Sequence, residues 1–124
     1  MASTPLDMTD RPDIVLDIER LSVNCNGNQE IMAELLQHLC QKSCPKWILG
    51  IEKGIQSKDS EAIREVCHGM KGACATIFAW RLSNIALEFE YLARDGDIST
   101  IHNRMRELRQ RFSEVDSVIK DDLY

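Results

Sequence analysis

Apolar residues near the end of the chain recur at alternating intervals of three and four positions. The residues that share this spacing are Ile98, Ile101, Met105, Leu108, Phe112, Val115 and Ile119. At about 100° per residue, they form one stripe along a single long helix. Other segments repeat this pattern, and none shows the two-residue alternation of a half-buried strand. The sequence therefore predicts an all-α protein in which amphipathic helices bury their apolar stripes against one another.

Turn-forming residues divide the rest of the chain into one short helix and further long helices. Asp17 and Asp59 are favourable N-cap residues, so we expect a short helix to start at Asp17 and a long one at Asp59. Short connections make consecutive helices antiparallel neighbours. We therefore expect an antiparallel four-helix bundle with a short additional N-terminal helix, spanning residues 13–124. Residues 1–12 carry two prolines and no apolar period, which predicts a flexible leader.

A proline lies inside the first long helix. This helix is expected to open near Asn28, and Ile31, Leu35 and Leu39 mark its apolar face at intervals of four. Pro45 removes a backbone hydrogen bond and crowds the carbonyl four residues earlier. Apolar residues resume helical spacing beyond it, so we expect a kink and not the end of the helix.

The composition argues against several classes of function. The chain has 124 residues, which suits one domain, and its net charge of −5 argues against a general affinity for nucleic acid or an anionic membrane. No segment approaches the roughly 20 consecutive apolar residues of a membrane helix, and the N-terminus lacks a signal-peptide pattern. The five cysteines lie within helical patterns, without zinc-like spacing. We expect a cytoplasmic protein with no metal site, whose cysteines pack in the core.

One helical segment combines an apolar stripe with a histidine that points away from it. The stripe consists of Ile63, Cys67, Met70, Cys74 and Ile77. His68 falls roughly 140° from that stripe, so its imidazole is expected to face solvent. Gly72, Ala75 and Ala79 follow it at one, two and three turns, and all are small. The pattern predicts a histidine on a flat surface that another protein can approach.

Two cations flank this histidine. Lys71 lies three positions after His68 and Arg64 four positions before it, so both can lean toward a group bound to the ring. Imidazole near neutral pH is a nucleophile that can attack phosphorus, and phosphoryl transfer needs mainly positioning and charge neutralisation. Lys71 would neutralise charge, and Gly72 would leave room for an incoming active site.

At these residues the sequence resembles the histidine-containing phosphotransfer (HPt) domain family of phosphorelays. The family pattern is a His, any residue, an apolar residue, Lys, Gly and then small residues, and residues 68–75 match it. The resemblance continues in the next helix at Leu82, Glu90, Leu92, Arg94, Gly96 and Asp97. Upstream, residues 15–17 and 27–30 resemble the entry helix and the start of the first long helix. Residues 14–122 are covered in all.

The resemblance implies a phosphocarrier and not an enzyme with a complete catalytic site. It implies that His68 accepts a phosphoryl group on Nε2 from a receiver-domain aspartyl phosphate and passes it to a response-regulator receiver domain. Lys71 would stabilise the phosphate. The implied docking surface comprises Arg64, Gly72, Ala75 and Ala79. The expected partners are response-regulator receiver domains and a hybrid histidine kinase; the receiver supplies Mg²⁺, and this chain needs no cofactor and is expected to be a monomer.

One departure from the family leaves alternatives open. Phe78 stands before Ala79 where the family usually has Gly-Ala. Its ring either packs against the following helix or changes how the histidine helix ends. A helical interaction module that binds a receiver or kinase as a scaffold or inhibitor, without carrying phosphate, is the alternative function. A thiol- or metal-dependent helical enzyme is a weaker one, because Cys67 points into the core, about 100° from His68.

The remaining charged residues receive structural interpretations. His38 and His102 have no comparable setting and are interpreted as surface or boundary residues. The basic run 104–111 is interpreted as a solvated face that pairs with neighbouring glutamates and not as a nucleic-acid contact. A charged helix face and the turn after it are the interpretation given to four acidic residues, Glu88, Glu90, Asp95 and Asp97.

Overall fold

The computed structural model describes residues 14–123, and every regular element in that range is helical. The predicted leader, residues 1–12, lies outside the described residues. The elements are α1 (Ile18–Asn24), α2 (Gln29–His38), a π-helical turn (Leu39–Ser43), α3 (Cys44–Ser57), α4 (Ser60–Thr76), α5 (Trp80–Arg94), α6 (Ile98–Asn103) and α7 (Met105–Leu123).

These helices form the predicted antiparallel bundle. The first long unit is α2 with the π-helical turn and α3; α4 and α5 are the second and third, and α6 with α7 is the fourth. The seam between α4 and α5 is the most extensive, α3 packs on the other side of α4, and the fourth unit closes the bundle against α5 and the first unit. The short α1 packs against α2. The core is continuous from Leu16 to Ile119, with Trp80 and Phe89 its largest fully buried side chains.

Side-chain caps start the helices where the sequence predicts. The Asp17 carboxylate accepts a hydrogen bond from the backbone N–H of Arg20 at 3.2 Å and starts α1. The Asp59 carboxylate accepts from the N–H of Ala62 at 3.0 Å and starts α4. Each cap satisfies a donor that the first helical turn leaves without an intrahelical partner.

The first long unit passes Pro45 without ending, as predicted. The π-helical turn Leu39–Ser43 widens the helix just before the proline, and the Cys44 N–H bonds back to the carbonyl of Leu39. Pro45 then lies in the first turn of α3, where a missing N–H costs no intrahelical bond. One wide turn therefore accommodates the proline within the first long unit.

The apolar face of α2 differs from the predicted one. Met32 and Leu36 are buried, whereas Ile31 is 45% exposed and Leu35 41% exposed. A step of four residues advances by about 40° beyond a full turn, so a series at intervals of four drifts off any one face. Only Leu39 of the predicted series lies in the core.

The last long helix was expected to be continuous, and the structure divides it at Arg104. The Arg104 N–H bonds to the carbonyl of Ile101 at 3.0 Å and ends α6, and α7 begins at the next residue. Its guanidinium binds Glu88 and Glu107, each at 2.9 Å, and lies 5.4 Å from the centre of the Phe89 ring. The prediction of a single helix was wrong, because these contacts hold Arg104 outside helical geometry. The prediction that the apolar stripe faces the core is confirmed from position 101 to position 119.

Phe78 ends α4 in a conformation usually reserved for glycine. Its φ of 62° is left-handed, and the Ala79 N–H closes the turn on the carbonyl of Cys74 at 2.9 Å. The Phe78 ring is buried and packs edge-on against Trp80, with centroids 5.6 Å apart, while the Arg20 guanidinium lies 5.8 Å from it. Both alternatives therefore hold: Phe78 packs against α5 and its neighbours, and it also sets the end of α4.

Candidate functional site

His68 stands on an open surface of α4. Its side chain is 63% exposed, which confirms the predicted direction of the ring. Gly69 and Gly72 flank it on the same helix, and beyond the chain neighbours and the local helix backbone, a Cβ added to either would meet no atom within 4 Å. The packing of the bundle therefore does not require glycine at these positions. A partner can approach the imidazole without meeting a side chain there.

A buried glutamate from α5, Glu90, binds both His68 and Lys71 of α4. The Glu90 side chain is only 4% exposed, and its Oε2 lies 2.9 Å from Nδ1 of His68. Its Oε1 accepts a hydrogen bond from the Lys71 ammonium, also at 2.9 Å. One carboxylate thus holds the imidazole and the ammonium in fixed positions on the surface.

Small residues let α5 approach α4 closely enough for these bonds. Ala86 and Ala93, one turn to either side of Glu90, are both buried. The Ser83 hydroxyl, also buried, donates a hydrogen bond to the backbone carbonyl of Lys71 at 3.0 Å. Because helical residues three and four apart share a face, Ser83, Ala86, Glu90 and Ala93 line the side of α5 that meets α4. The register of the two helices therefore sets which residue His68 meets.

Glu90 is held in its ionised form. Burial raises the pKa of its carboxyl, but hydrogen bonds from Lys71 and His68 and their positive charges lower it by more, so the net pKa lies below the ordinary value. An ionised carboxylate only accepts hydrogen bonds, so the hydrogen shared with His68 belongs to Nδ1. In the neutral form of the ring, the other nitrogen, Nε2, then carries the free lone pair and points away from Glu90 toward solvent.

The contact of Glu90 with His68 and Lys71 is the feature of this site that the sequence interpretation missed. Glu90 was assigned to a charged helix face because acidic residues surround it. The available signal was its place between Ala86 and Ala93, on a stripe of small residues beside Phe89. Its contact with His68 depends on how α5 lies along α4, and periodicity within one helix does not give that register.

The proposed docking residues have different settings. Gly72 is exposed and Ala75 partly buried on the same side of α4 as His68. The Arg64 guanidinium binds Glu61 through two hydrogen bonds, at 2.9 and 2.6 Å, and so does not reach toward the ring. The prediction that Ala79 lies on the docking surface was wrong. Ala79 is fully buried at the start of α5, because Phe78 ends α4 before a third turn beyond His68 is complete.

Three of the five cysteines are buried, and Cys25 and Cys40 are partly buried against the core. Burial, with a smaller contribution from Glu90, raises the pKa of the Cys67 thiol to about 12, which keeps it protonated and unreactive beside His68. Cys44 and Cys74 are also buried among apolar residues. Within residues 14–123, no group of three His, Cys, Asp or Glu side chains is arranged to hold a metal ion. Over the same range, none of the helices is long and apolar enough to cross a membrane.

Comparison with known proteins gives two matches of different kinds. A model of the Hpt domain matches residues 25–118, which include His68, Lys71 and Glu90. The fold is similar to the crystal structure of histidine-containing phosphotransfer protein B (HptB) from Pseudomonas aeruginosa PAO1, with a TM-score of 0.78 and 21% sequence identity. That alignment covers 87% of this chain and 93% of the other. No curated protein sequence matches the chain.

Proposed function

We propose that this chain, which belongs to the Hpt domain family, carries a phosphoryl group on Nε2 of His68 between receiver domains. The observation that carries the proposal is the pairing of His68 Nδ1 with the buried, ionised Glu90 at 2.9 Å. In the neutral ring this pairing places the hydrogen on Nδ1, so the exposed Nε2 has the free lone pair that a nucleophile toward phosphorus requires.

The transfer step follows from this arrangement. The Nε2 lone pair attacks the phosphorus of an aspartyl phosphate on a receiver domain, and an N–P bond forms as the acyl P–O bond breaks. The receiver aspartate leaves as a carboxylate, and when the attacking ring is neutral with its hydrogen on Nδ1, no proton has to move. The ring then holds hydrogen on Nδ1 and phosphorus on Nε2, and it gains a positive charge that the Glu90 carboxylate faces. The reverse step delivers the group to the aspartate of another receiver.

Lys71 is proposed to neutralise the transferred group. Its ammonium has three donors and uses one on Glu90, which leaves two for phosphoryl oxygens. The side chain is 28% exposed and lies one turn from His68, so it can reach a group on the ring without leaving the carboxylate. The receiver domain would supply Mg²⁺ and the aspartate, as the family resemblance implies.

Docking is proposed to use the open face around Gly72, with Ala75 and Arg64 at its edges. A receiver must bring its aspartyl phosphate to within bonding distance of Nε2, so side chains around the ring have to be small. Arg64 would contact an acidic partner only by releasing Glu61 or sharing its guanidinium with it. Ala79 is excluded from this surface by its burial.

Phosphate transfer from a phosphorylated receiver domain tests the proposal. The wild-type protein is expected to gain a phosphate that is labile in acid and stable in base, which is the behaviour of a phosphohistidine. The variant His68→Gln is expected to gain none while keeping its helical circular dichroism. His102→Gln is the matched control, since His102 is also an exposed helical histidine, and it is expected to behave as wild type.

Two outcomes would contradict this proposal. Labelling of His68→Gln at the wild-type rate would place the phosphate elsewhere. Stable binding of receivers without transfer would favour the scaffold or inhibitor function instead.

A further inference from the structure

Tyr91 is an exposed aromatic residue beside the phosphotransfer site. Five large apolar side chains are exposed among residues 14–123, and Tyr91, at 51% exposure, is the only one of them on α4 or α5. It follows directly after Glu90, whose carboxylate binds His68 and Lys71. Because aromatic side chains are enriched in protein–protein interfaces, this position indicates a contact with a partner that approaches the site.

The direction of Tyr91 follows from the two residues before it. Successive helical residues point about 100° apart. Phe89 is fully buried in the core, and Glu90 faces α4. The turn from Phe89 to Tyr91 passes through the α4–α5 seam, so Tyr91 points outward on the side of α5 that adjoins the exposed face of α4. The ring therefore stands on the same surface of the bundle as His68.

Two other side chains share this side of α5. Leu87 lies four positions before Tyr91 and Arg94 three positions after it, so the three are neighbours on the helix surface. The Arg94 guanidinium lies 5.2 Å from the centre of the Tyr91 ring. Leu87 is partly exposed and Arg94 is exposed. These three residues, called here the α5 patch, combine apolar surface with one positive charge.

The charge of Arg94 suits an acidic partner. Within residues 14–123 its guanidinium forms no ion pair, and its stacking on Tyr91 leaves N–H donors for another group. The receiver domain that the family resemblance implies holds Mg²⁺ beside its phosphorylated aspartate, and proteins bind Mg²⁺ through carboxylates. The receiver surface that approaches His68 is therefore acidic, and its charge is complementary to that of Arg94.

The size of a protein interface requires contacts beyond α4. A standard interface buries about 800 Å² on each partner, which corresponds to a patch about 28 Å across. A helix with its side chains is only about 10–12 Å in diameter, so the exposed face of one helix is too narrow to supply this area. His68 and Lys71 both bind Glu90, so the reacting group lies at the α4–α5 seam. An interface centred there has to extend onto α5.

We propose that a receiver domain docks across the α4–α5 seam and that Tyr91, with Arg94 beside it, anchors the receiver on α5. This inference rests on the proposed phosphotransfer function and adds a determinant of partner affinity to it. Tyr91 packs against an apolar side chain of the receiver, and Arg94 pairs with one of its carboxylates. Tyr and Arg are among the residues that most often dominate binding energy. The face around Gly72 gives the partner room, and the α5 patch holds it in register.

Transfer rates at a series of receiver concentrations test this docking. The probe is a phosphorylated receiver domain that transfers to the wild-type chain. Tyr91→Ala is expected to raise the half-saturating receiver concentration by about 10-fold or more, while the maximal rate stays within about twofold of wild type because the reacting groups are unchanged. Tyr91→Phe keeps the ring and is expected to behave as wild type. Leu49→Ala, which truncates a residue of 52% exposure on α3, is the matched control and is expected to change neither value.

The salt dependence of docking tests the role of Arg94. Salt screens attraction between exposed charges, so the half-saturating concentration for wild type is expected to rise between about 0.05 and 0.5 M salt. Arg94→Gln is expected to show a weaker rise than wild type. Arg106→Gln, which removes an exposed arginine of α7, is the control and is expected to keep the wild-type dependence.

Two results would overturn the inference. A half-saturating concentration for Tyr91→Ala equal to that for Leu49→Ala would remove Tyr91 from the interface, even where transfer to wild type is normal. A lower maximal rate with an unchanged half-saturating concentration would mean that Tyr91 acts on the reacting groups and not on docking. Helical circular dichroism checks the fold of each variant, and Arg94→Gln keeps the docking testable if Tyr91→Ala unfolds.

Failure of the inference is distinguishable from failure of the phosphotransfer proposal. If no receiver transfers phosphate to wild type, the phosphotransfer proposal fails. Binding of a receiver domain to His68→Gln, with and without Tyr91→Ala, still measures docking by itself. Weaker binding with Tyr91→Ala supports the docking surface, and equal binding overturns it.

Discussion

The α4–α5 seam and the surface of α7 both concentrate charge, but they satisfy it differently. On α7 and just before it, Arg104 pairs with Glu107 and Arg111 with Glu114, and these side chains are between 20% and 36% exposed. At the seam, one carboxylate that is 4% exposed serves two partners from another helix. Partly exposed pairs still share their charges with water and contribute less, whereas a buried carboxylate depends on its partners. The density of charge is therefore a poor guide to function here, and burial is a better one.

Replacement of the buried carboxylate is expected to have the largest effect. Glu90→Ala leaves Lys71 and His68 without their acceptor and should lower the free energy of unfolding by about 2–3 kcal/mol. It should also slow phosphate transfer to His68 by about 10- to 100-fold, since neither the tautomer nor the charge on the phosphorylated ring is then stabilised. Urea unfolding and receiver-to-His68 transfer rates measure the two effects.

Two further variants sharpen this prediction. Glu90→Gln keeps an oxygen that can accept from Nδ1, so it should recover part of the transfer rate. Glu107→Ala, on the α7 side, should cost less than about 1 kcal/mol and leave transfer unchanged. Equal losses of stability in Glu90→Ala and Glu107→Ala would remove the distinction between the two regions.

Bulk on the open face of α4 is expected to slow transfer without unfolding the bundle. Gly72→Gln should reduce the transfer rate by about tenfold or more, because its side chain occupies the space that a receiver needs. Gly72→Ala meets no atom within 4 Å and should raise the free energy of unfolding by about 0.5–1 kcal/mol. Ser99→Gln, an exposed change on α6, is the control and should transfer normally. Wild-type transfer by Gly72→Gln would contradict the docking surface.

The ends of α3 and α4 offer a matched pair of left-handed residues, Lys58 and Phe78. Phe78 has a φ of 62° and is buried, whereas Lys58 has a φ of 56° and is exposed. Lys58→Gly relieves the backbone and should stabilise the protein by about 0.5–1 kcal/mol. Phe78→Gly gains the same relief but loses the ring packed on Trp80, so it should destabilise by about 1–2 kcal/mol. Thermal unfolding of both variants measures the difference, and a stabilised Phe78→Gly would show that the ring contributes nothing.

The smallest expected effect is on the acid dependence of stability. The folded-state pKa of Glu90 lies below the ordinary value of 4.5, so the unfolded chain binds this proton more readily. The stability that Glu90 contributes is therefore present above about pH 4.5 and is lost as the pH falls through the lower folded value. The difference in free energy of unfolding between wild type and Glu90→Gln should narrow between about pH 7 and pH 3. A difference that stays constant would mean that the charge of Glu90 does not support the fold.

Local sequence rules gave the helix starts and the direction of His68. Asp17 and Asp59 cap helices because a carboxylate at that position can bond the first turn of its own helix. His68 is exposed because it lies away from the apolar stripe of α4, and the spacing of residues within that one helix is enough to locate the stripe. These features need no knowledge of neighbouring helices.

The features that could not be predicted from the sequence depend on contacts between helices. The break at Arg104 depends on Glu88 of α5, and the burial of Ala79 depends on Phe78 packing against Trp80. The role of Glu90 depends on the register of α5 along α4. A stripe within one helix contains no information about such pairings.

The position of the phosphoryl group on the ring tests the central claim most directly. With ¹⁵N-labelled histidine, the protein would be phosphorylated by a phosphorylated receiver domain and examined by ³¹P and ¹⁵N nuclear magnetic resonance. The account predicts phosphorus bonded to Nε2 of His68, with hydrogen retained on Nδ1 in contact with Glu90. Phosphorus on Nδ1, or on another residue, would contradict it.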